Sequence, residues 1–486
     1  MRLELLVPEI CLAATAIAVI VTDLISRRKA LLTVISLAGI GIAAGFTISM
    51  LGASAQTLGN GLFALDGFSL FFKLLFLGLA SMVILASADY VKRMQDFHGE
   101  YHALILTATL GMMLTASAVD IISIFVSVEL TAISFYALVG FLKDAKSSES
   151  SLKYILLGAI NSAVLLYGLA LVFGFTGQTH LSDITAAIGG IAGHGIPASA
   201  GLILGLGLVL AGFGFKVAAV PFHMWAPDVY EGAPTPVTLY LSAGSKVAGF
   251  AVLLRFLLSA FIQPITLSHN WGLVLAVVSA LGMTLGNILA IPQANIKRLL
   301  AYSSIAHSGY MLIALASLGM AAAISAPIQS SLLFYAAAFV LAEVAAFTVV
   351  IMVSHQLGSD FIADYAGLGK RSPLTALVLT LSLISLIGLP PTAGFMAKFY
   401  LFSQAAHSSL IWLVVIAVIN SVISAYYYLR IVKTMWMDNP NEETAIVSAT
   451  APRLVLVIAC LGILFMGIVP AVIMKAAQFG SALLIP

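Results

Sequence analysis

The chain is a series of long apolar stretches separated by short polar connections. Apolar runs such as 204–220, 239–256 and 454–468 carry hydrophobic residues on every face. A helix of about 20 such residues crosses a hydrocarbon core about 30 Å thick, whereas the strands of a membrane barrel alternate apolar and polar residues. The pattern therefore predicts an all-α polytopic membrane protein with about 14 transmembrane helices. Their predicted centres are Ala16, Gly41, Leu77, Leu110, Leu130, Leu165, Leu210, Gly249, Ser279, Leu312, Leu341, Ile387, Ala417 and Ile463.

The connections alternate in charge. Every odd-numbered loop but one carries lysine or arginine, the exception being the loop around residues 226–236, and the even-numbered loops carry neither. Because positive residues favour the cytoplasmic side, both termini are expected on the outer, periplasmic side. The first basic cluster follows the first apolar stretch, so that stretch is expected to be a retained span and not a signal peptide. The basic residues of these loops are Arg27, Arg28 and Lys29; Lys92 and Arg93; Lys143, Lys146 and Lys153; Lys297 and Arg298; Lys370 and Arg371; Lys433 and Arg453.

Two predicted spans are interrupted in a related way. The seventh has glycine and phenylalanine before Lys216 and runs into Pro221, and the twelfth contains Pro390 and Pro391 before Lys398. Paired broken helices in two halves of a chain are typical of a transporter site, although a proline kink beside a chance lysine is the alternative. No linker divides the chain, so one membrane domain, 1–486, is expected. The stretch 181–191 is too short to span and predicts an amphipathic helix at the outer surface.

Composition narrows the possible functions. Hydrophobic residues make up 61% of the chain and charged residues 9%, whereas soluble domains have about a quarter charged residues. The net charge is +2 without a basic stripe, so nucleic-acid binding is not expected. Cys11 and Cys460 lie in apolar spans without a Cys-x-x-Cys pair, and no Gly-x-Gly-x-x-Gly follows a strand pattern. No metal, iron–sulfur or dinucleotide site is therefore expected in this chain.

Four ionisable residues lie in the middle of predicted spans, namely Glu129, Lys216, Lys246 and Lys398. A charge at mid-membrane costs at least roughly 2.5–3.5 kcal/mol, so it indicates a functional site. A static ion pair that fixes helix register is the alternative, but it accounts poorly for three lysines and one glutamate. We therefore predict that these residues carry protons through the membrane.

Lysine suits that role if its proton affinity can change. A solvated lysine has a pKa near 10.4, burial lowers it by up to about 3–5 units, and a nearby carboxylate raises it again. Moving one charge against about 150–200 mV requires roughly 3.5–4.6 kcal/mol, which corresponds to a pKa change of about three units. Breaking and remaking a contact between Glu129 and Lys216 could supply that change. Lys246 could then pass the proton toward Lys398.

Several other residues are secondary candidates. His223 and His307 could relay protons near neutral pH, or they could be packed hydrogen-bonding residues. Glu343 lies mid-span, where it either joins the polar axis or satisfies a partner helix. Lys153 follows Glu149 by one helical turn, and the two form either a proton funnel or a solvated interface pair.

Three further charged residues are expected to have local roles. Lys73 could extend its amine to the membrane interface if the third span is shifted. Asp228 and Glu231 lie in the loop between the seventh and eighth spans, where they could cap a helix.

The segment 221–237 reads Pro-Phe-His-Met-Trp-Ala-Pro-Asp-Val-Tyr-Glu-Gly-Ala-Pro-Thr-Pro-Val. It resembles the signature of the antiporter-like subunits of proton-pumping NADH:quinone oxidoreductase, complex I. Segments 125–130, 297–310 and 388–395 are similar to the same family, so the likeness covers essentially the whole chain. Within the family, the Asp-Val-Tyr-Glu-Gly-Ala-Pro form is similar to N-type subunits, whereas L and M types usually show Asp-Ala-His. Lysine at position 398 looks like the N or L type, and the long lateral helix of the L type is not evident.

The resemblance implies two inverted five-helix repeats containing broken helices, approximately 101–258 and 271–436. It implies that Glu129 and Lys216 form the family's glutamate–lysine pair. By the same match, Lys246 connects the two halves and Lys398 ends the second half. The auxiliary residues that the match implies are Lys153, His223, Lys297 and His307.

The resemblance also implies a non-redox, proton-translocating subunit of the bacterial inner membrane. NADH, FMN, iron–sulfur clusters and quinone are expected in partner subunits, which include an M-type antiporter-like subunit and small membrane subunits. Quinone reduction in those partners would drive protons from the cytoplasmic side outward. The N-type loop favours this interpretation over a subunit of a multi-subunit cation/proton antiporter, which has no redox link. A scaffold that moves no protons is a second alternative.

Overall fold

In the computed structural model the chain forms a bundle of long helices, as the apolar pattern predicts. The structure describes residues 3–26, 29–59, 61–93, 97–192, 196–321, 324–440 and 450–482. Arg27 and Arg28 of the first basic cluster lie outside the described residues. Lys29, which follows them, forms an ion pair with Asp23 at 2.8 Å.

The first half of the chain is mainly helical, with one small hairpin that the apolar pattern did not predict. Strands β1 (Gln56–Leu58) and β2 (Phe63–Leu65) pair antiparallel between the second and third helices. The helices of this half are α1 (Val7–Ile25), α2 (Ala30–Ser49), α3 (Gly67–Ala86), α4 (His98–Ser117), α5 (Ile121–Val139), α6 (Ala145–Thr176), α7 (Leu181–Ala192), α8 (Ile196–Lys216), α9 (Trp225–Gly232), α10 (Thr235–Tyr240) and α11 (Lys246–Ala260).

The second half repeats the pattern of long helices with one break. Short 3-10 turns occur in both halves, at Leu3–Leu6, Tyr90–Arg93 and Ile362–Tyr365. In the first half, a π-helical turn at Leu241–Ser245 joins α10 to α11. The helices of this half are α12 (Ile265–Ala290), α13 (Ile296–Ala321), α14 (Ala326–Leu357), α15 (Leu368–Arg371), α16 (Pro373–Ile387), α17 (Ala393–His407), α18 (Ile411–Met437), α19 (Thr450–Ile468) and α20 (Pro470–Ala482).

The predicted all-α membrane architecture is confirmed. In the described part of the chain, 11 helical segments are long and apolar enough to cross a membrane. The more polar α4, the short apolar stretch 200–216 of α8, and the short α16 occupy the three remaining predicted positions, so every predicted centre lies in a helix. A helix beyond the last predicted span, α20, packs its Gly480 near Leu333 of α14.

Burial separates central helices from peripheral ones. Helices α11, α13 and α14 are almost entirely buried, whereas α1, α2, α6 and α18 are only about one-third buried. The central helices carry Lys246, His307 and Glu343. These side chains therefore lie inside protein, surrounded by other helices, and not against acyl chains.

One end of the bundle, which we call the hairpin end, is held together by backbone hydrogen bonds between connections. The Val119 amide donates to Leu62 of the hairpin, and the Leu181 amide donates to Val119, both at 3.0 Å. The predicted amphipathic helix is α7, which begins there and buries Leu181, Ile184 and Ile188 on one face. Spacing of three and four residues gives such a helix one apolar side.

Both predicted interruptions are present. Helix α8 ends at Lys216 and the chain turns through Pro221 before α9. Helix α16 ends at Ile387, where Gly388 has φ +90°, a left-handed conformation that glycine adopts without strain. The prolines lack the amide hydrogen that a continuous helix requires. Each break therefore leaves helix ends inside the bundle.

The break in the twelfth span depends on a close approach of its two halves. A Cβ atom at Gly394 of α17 would lie 1.8 Å from the Ser385 carbonyl oxygen of α16. Gly394→Ala is therefore expected to force α16 and α17 apart, destabilising the subunit by about 1–3 kcal/mol or more. Displacement of α17 also moves Lys398. Reduced incorporation of the variant into the purified membrane complex, measured against the wild type, checks this expectation.

Gly174→Ala is the matched control, because nothing lies within 4 Å of a Cβ atom at that exposed position of α6. Alanine favours a helix over glycine by about 1 kcal/mol, so this variant should assemble normally. Equal incorporation of both variants would contradict the packing argument.

The ion pair between Lys73 and Glu9 corrects one expectation. The Lys73 amine lies 2.7 Å from the Glu9 carboxylate, and the two side chains are 1% and 4% exposed. Lys73 therefore does not extend to the membrane interface, because a carboxylate on α1 meets it inside the bundle.

A second buried ion pair was not predicted from the sequence. Arg255 of α11 binds both carboxylate oxygens of Asp66, at 2.8 and 2.9 Å, and its Nε donates to the Ala116 carbonyl at 3.1 Å. The same carboxylate accepts from the Ser69 amide and caps α3. Every polar atom of this pair is used, so it fixes the ends of α3, α4 and α11 relative to one another.

Candidate functional site

The structure brings together the predicted glutamate and lysine of the first half. Glu129 lies in the middle of α5, and Lys216 is the last residue of α8. The Lys216 amine lies 3.6 Å from Glu129 Oε1, and the Ser162 hydroxyl of α6 donates to the same oxygen at 2.7 Å. The amine is buried and has no hydrogen-bond partner among the described residues. The two groups therefore interact electrostatically, but at this distance no hydrogen bond joins the amine to the carboxylate.

The break in the seventh span explains where the Lys216 amine lies. A helix end carries partial negative charge on its free carbonyl groups, which favours a cation in the last turn. Because α8 stops at Lys216, that end lies inside the bundle and not at the surface. An unbroken helix would provide no such carbonyl groups at this depth.

A small cavity connects Lys216 to the eighth span. Its volume is about 20 Å³, and its walls include Thr115, Thr131, Tyr154 and Ser245. This space is sufficient for one water molecule with several polar partners. Ser245 directly precedes Lys246 in the chain, so the cavity adjoins the helical turn that carries this lysine, although the Lys246 side chain is not part of its wall.

Lys246 is held on the opposite side, against α13. Its amine donates to the Ser304 carbonyl at 2.5 Å and to the Ser304 hydroxyl, and it lies 5.9 Å from the centre of the Phe339 ring. Within the part of the chain that the structure describes, no carboxylate forms an ion pair with this amine.

Glu343 of α14 belongs to the same buried region. It is fully buried, and the Ser242 hydroxyl in the π-helical turn donates to its Oε2. Its Oε1 atom has no hydrogen-bond partner among the described side chains and backbone groups. Ser242 precedes Lys246 by four residues, which is about one helical turn. The residue that contacts Glu343 and the lysine therefore lie close together on the same helix.

His307 and Lys398 lie farther along the bundle, in the second half. His307 is buried, and its Nδ1 forms a hydrogen bond of 2.8 Å with the Tyr335 hydroxyl. The Lys398 amine donates to the Leu386 and Ile387 carbonyls at 3.2 and 2.8 Å, and to the Ser421 hydroxyl at 3.0 Å. Those two carbonyls end α16, so Lys398, like Lys216, lies at a helix end inside the membrane bundle.

Lys398 is also reached by an apolar crevice of about 570 Å³ between α16, α17 and α18. The crevice walls include Phe395, Phe399 and Val418, and Ser421 adjoins the lysine. Among the described carboxylates, none pairs with this lysine. Its charge is stabilised by carbonyl and hydroxyl oxygens and by the Tyr310 ring, whose centre is 4.4 Å from the amine.

Lys153 and its neighbours form a charged cluster at the end opposite the hairpin. Lys153 contacts Glu149 at 2.9 Å, the predicted helical pair, and also Asp228 at 3.2 Å. Arg298 contacts Asp228 and Glu231 at 2.7 and 2.9 Å. The expectation that Asp228 and Glu231 cap a helix is therefore wrong. They bind cations of α6 and α13 instead, since α9 begins without a side-chain cap.

The environment of Asp228 has two opposing effects on its acidity. Partial burial raises the pKa of this carboxyl, but hydrogen bonds from Arg298 and Lys153 outweigh burial and lower the pKa below its ordinary value. Asp228 is therefore ionised at neutral pH, and the cluster keeps its charge.

The remaining auxiliary residues lie apart from the central groups. Lys297 is buried at the start of α13, where its amine donates to the Ala233 carbonyl at 2.7 Å and lies 3.7 Å from Asp360. His223 is buried in the turn after Pro221. In the described structure, neither has a hydrogen bond or ion pair with Glu129, Lys216, Lys246 or Lys398.

The sequence did not single out the hydroxyl groups that complete the site. Ser162, Ser242, Ser304, Ser421 and Tyr335 each contact one of the charged or histidine side chains. Small hydroxyl residues are common in membrane helices, where they pack closely or bond to their own backbone. Their position in the sequence alone therefore carried no signal. No group of three potential metal ligands occurs among the described residues.

Comparison with known proteins gives a consistent result. Residues 118–424 match a family model described as the transmembrane part of the NADH:quinone oxidoreductase and Mrp antiporter subunits. NADH-quinone oxidoreductase subunit N of Dehalococcoides mccartyi is 47% identical, over 99% of this chain and 100% of that protein. A chain of respiratory complex I from Thermus thermophilus, solved with aureothin, is 32% identical with a TM-score of 0.80 over 96% of this chain and 98% of that one.

A chain of the Mrp complex from Dietzia sp. is also similar in structure, with a TM-score of 0.85 over 99% of this chain and 97% of that one. Its identity of 20% shows a common fold alone.

Proposed function

This chain belongs to the family of NADH:quinone oxidoreductase and Mrp antiporter membrane subunits, and we propose that its buried lysines carry the protons that the complex pumps. It is a multi-pass membrane-arm subunit of a proton-pumping NADH:quinone oxidoreductase, assembled with other membrane subunits of the complex. Its proposed proton-carrying residues are Glu129, Lys216, Lys246 and Lys398, with Lys153, His223, Lys297, His307 and Glu343 as auxiliary residues.

The contact between Lys216 and Glu129 carries this proposal. The amine lies near the carboxylate, yet its own hydrogen-bonding capacity is unused. A lysine with a carboxylate beside it holds its proton, and it releases the proton when the carboxylate moves away or is neutralised. The 20 Å³ cavity, which has room for one water molecule, supports passage of that proton from Lys216 to the turn that carries Lys246.

The proposed direction is from the cytoplasmic side outward, with both termini on the periplasmic side. The charged loops support this orientation, because Lys153, Lys297 and Arg298 lie together at the end opposite the hairpin. We place the two inverted repeats at approximately 101–258 and 271–436. The interior helix ends at Lys216 and Lys398 support this division, since each belongs to the broken helix of one repeat.

We assign the redox chemistry to partner subunits. NADH, FMN, iron–sulfur clusters and quinone would all be bound there, and this chain would respond mechanically or electrostatically to quinone reduction. Its own groups hold and release protons at lysine Nζ and glutamate carboxylate atoms. The alternative of a cation/proton antiporter is less well supported, since the Mrp chain is 20% identical whereas the subunit N relative is 47% identical.

Lys216→Ala in the assembled complex tests the proposal. The variant should still transfer electrons from NADH to quinone, but it should translocate fewer protons per electron, because no amine remains beside Glu129. Proton uptake by reconstituted vesicles, measured together with NADH oxidation, gives this ratio. Lys475→Ala, at an exposed position of α20, is the control and should keep the wild-type ratio. An unchanged ratio in Lys216→Ala would favour the scaffold interpretation.

A further inference from the structure

Glu343 contacts the π-helical turn that ends directly before Lys246, and the sequence alone left its role open. We propose that Glu343 is the alternate partner of Lys246 and accepts its proton, so that the centre of the bundle contains a second glutamate–lysine pair. This inference rests on the proposed proton-carrying function and adds one carboxylate with a defined role to it.

The incomplete hydrogen bonding of Glu343 is the first observation. The side chain is fully buried, Oε2 accepts from Ser242, and Oε1 has no partner among the described residues. A buried carboxylate with an unused oxygen is strongly disfavoured unless it is neutral or has a mobile partner. Ser242 supplies one hydrogen bond, which is less than a permanent charge requires.

The buried carboxylate of Asp66 shows how this chain stabilises a permanent charge. Both oxygens of Asp66 bind Arg255, and one also accepts from the Ser69 amide. Glu343 is equally buried, but no arginine or amide of the described chain bonds to its second oxygen. The difference indicates that Asp66 is structural, whereas Glu343 has a free position for a proton or for the Lys246 amine.

The position of Lys246 is the second observation. Its amine contacts Ser304 of α13 and not a carboxylate, although Glu343 is close enough to interact with it electrostatically. The Tyr230 hydroxyl lies within interaction distance of both Ser242 and Ser304. The hydroxyl groups of Ser242, Ser304 and Tyr230 therefore lie near the lysine and the glutamate.

The π-helical turn is the third observation. It covers Leu241–Ser245, so it contains Ser242 and ends directly before Lys246. Single π-helical turns occur frequently at functional sites, and a shift to α-helical bonding rotates the side chains that follow. A change in this turn would alter the contacts of Ser242 and Lys246 together.

The proposed step conserves atoms and charge. The protonated Lys246 amine moves from Ser304 to Glu343 Oε1, the N–H bond breaks, and an O–H bond forms on the carboxylate. The products are a neutral amine and a neutral carboxylic acid, so the net charge of the buried pair stays at zero. The neutral Lys246 amine can then accept the next proton from the side of Lys216.

Glu343→Gln in the assembled complex tests this step, since it removes the acid and nearly preserves its shape. We expect electron transfer to continue and the number of protons per electron to fall by as much as in Lys246→Ala. Glu343→Asp should recover part of the loss. Thr348→Val is the matched control, because Thr348 is equally buried on α14 but, among the described residues, its hydroxyl bonds only to Val344 of its own helix. It should pump normally.

An infrared difference spectrum of the turning-over complex separates proton transfer from a merely structural role. A carbonyl stretching band of a buried, protonated carboxylic acid should appear in the wild type and be absent in Glu343→Gln. Wild-type pumping by Glu343→Gln, or retention of that band, would overturn the inference. If Lys246→Ala fails to pump while Glu343→Gln pumps fully, the inference falls and the proposed function stands. Full pumping by both Lys246→Ala and Glu343→Gln would contradict the inference and the proposed function alike.

Discussion

Lys246→Ala is expected to abolish the contribution of this subunit to proton pumping while quinone reduction continues. The amine belongs to the fully buried α11 of the first half and donates to Ser304 of α13 in the second half, so it lies where the two halves meet. Alanine at position 246 has no amine, so a proton that reaches this point finds no basic side chain to accept it. Loss of a positioned acid–base group slows proton transfer roughly 10²–10⁴-fold, so passage through the centre should effectively stop. Protons per electron in reconstituted vesicles provide the measurement.

Lys246→Arg distinguishes proton exchange from simple charge. Arginine keeps a positive charge and its hydrogen-bond donors, but it does not release its proton in proteins. It should therefore block pumping nearly as well as alanine, while preserving the ion balance of the site. Normal pumping by the arginine variant would contradict the idea that Lys246 itself loses and regains a proton.

Arg255→Met is expected to destabilise the subunit by about 3–5 kcal/mol, because it leaves the Asp66 carboxylate buried without its cation. Asp66 loses both hydrogen bonds from Arg255, and the contact from Arg255 to Ala116 of α4 is lost as well. The hairpin ends of α3, α4 and α11 should then separate on heating. A lower temperature of subunit loss from the purified complex would reveal the effect.

Two further variants make the stability prediction specific. Lys433→Met removes a positive charge from an exposed position of α18 and should leave the dissociation temperature nearly unchanged. The double variant Asp66→Asn with Arg255→Met removes both charges and should recover part of the stability, since no ion then remains unpaired. Equal dissociation temperatures for Arg255→Met and the wild type would show that the pair contributes little.

Sequence reasoning could place the spans because the bilayer imposes a length and an apolar composition on each of them. It could also identify Lys216 and Lys398, since Lys216 lies shortly before the break at Pro221 and Lys398 shortly after the break at Pro390 and Pro391. Glu129 and Lys246 were identifiable for a similar reason, because a charge in the middle of an apolar stretch cannot be moved to the surface. The β1–β2 hairpin was missed because its strands contain three residues each.

Which charged side chains form ion pairs was harder to predict than where each charged residue lies along a span. Lys73 was expected to extend to the interface, yet Glu9, 64 positions earlier in the sequence, meets it inside the bundle. Asp228 and Glu231 were expected to act locally as caps, yet Arg298 binds both from α13. In each case the partner is distant along the chain, and helical spacing gives information only about neighbours three or four residues away.

The sequence by itself determined that this protein spans a membrane many times, that two of its spans are broken, and that basic groups lie in the middle of apolar stretches. These features follow from local composition, because the bilayer acts on each segment separately. Only the tertiary structure decided which charges meet, which hydroxyl groups hold them, and that Asp66 is fully bonded whereas Glu343 is not. Those outcomes depend on how separate helices pack, and packing brings together atoms that no local pattern relates.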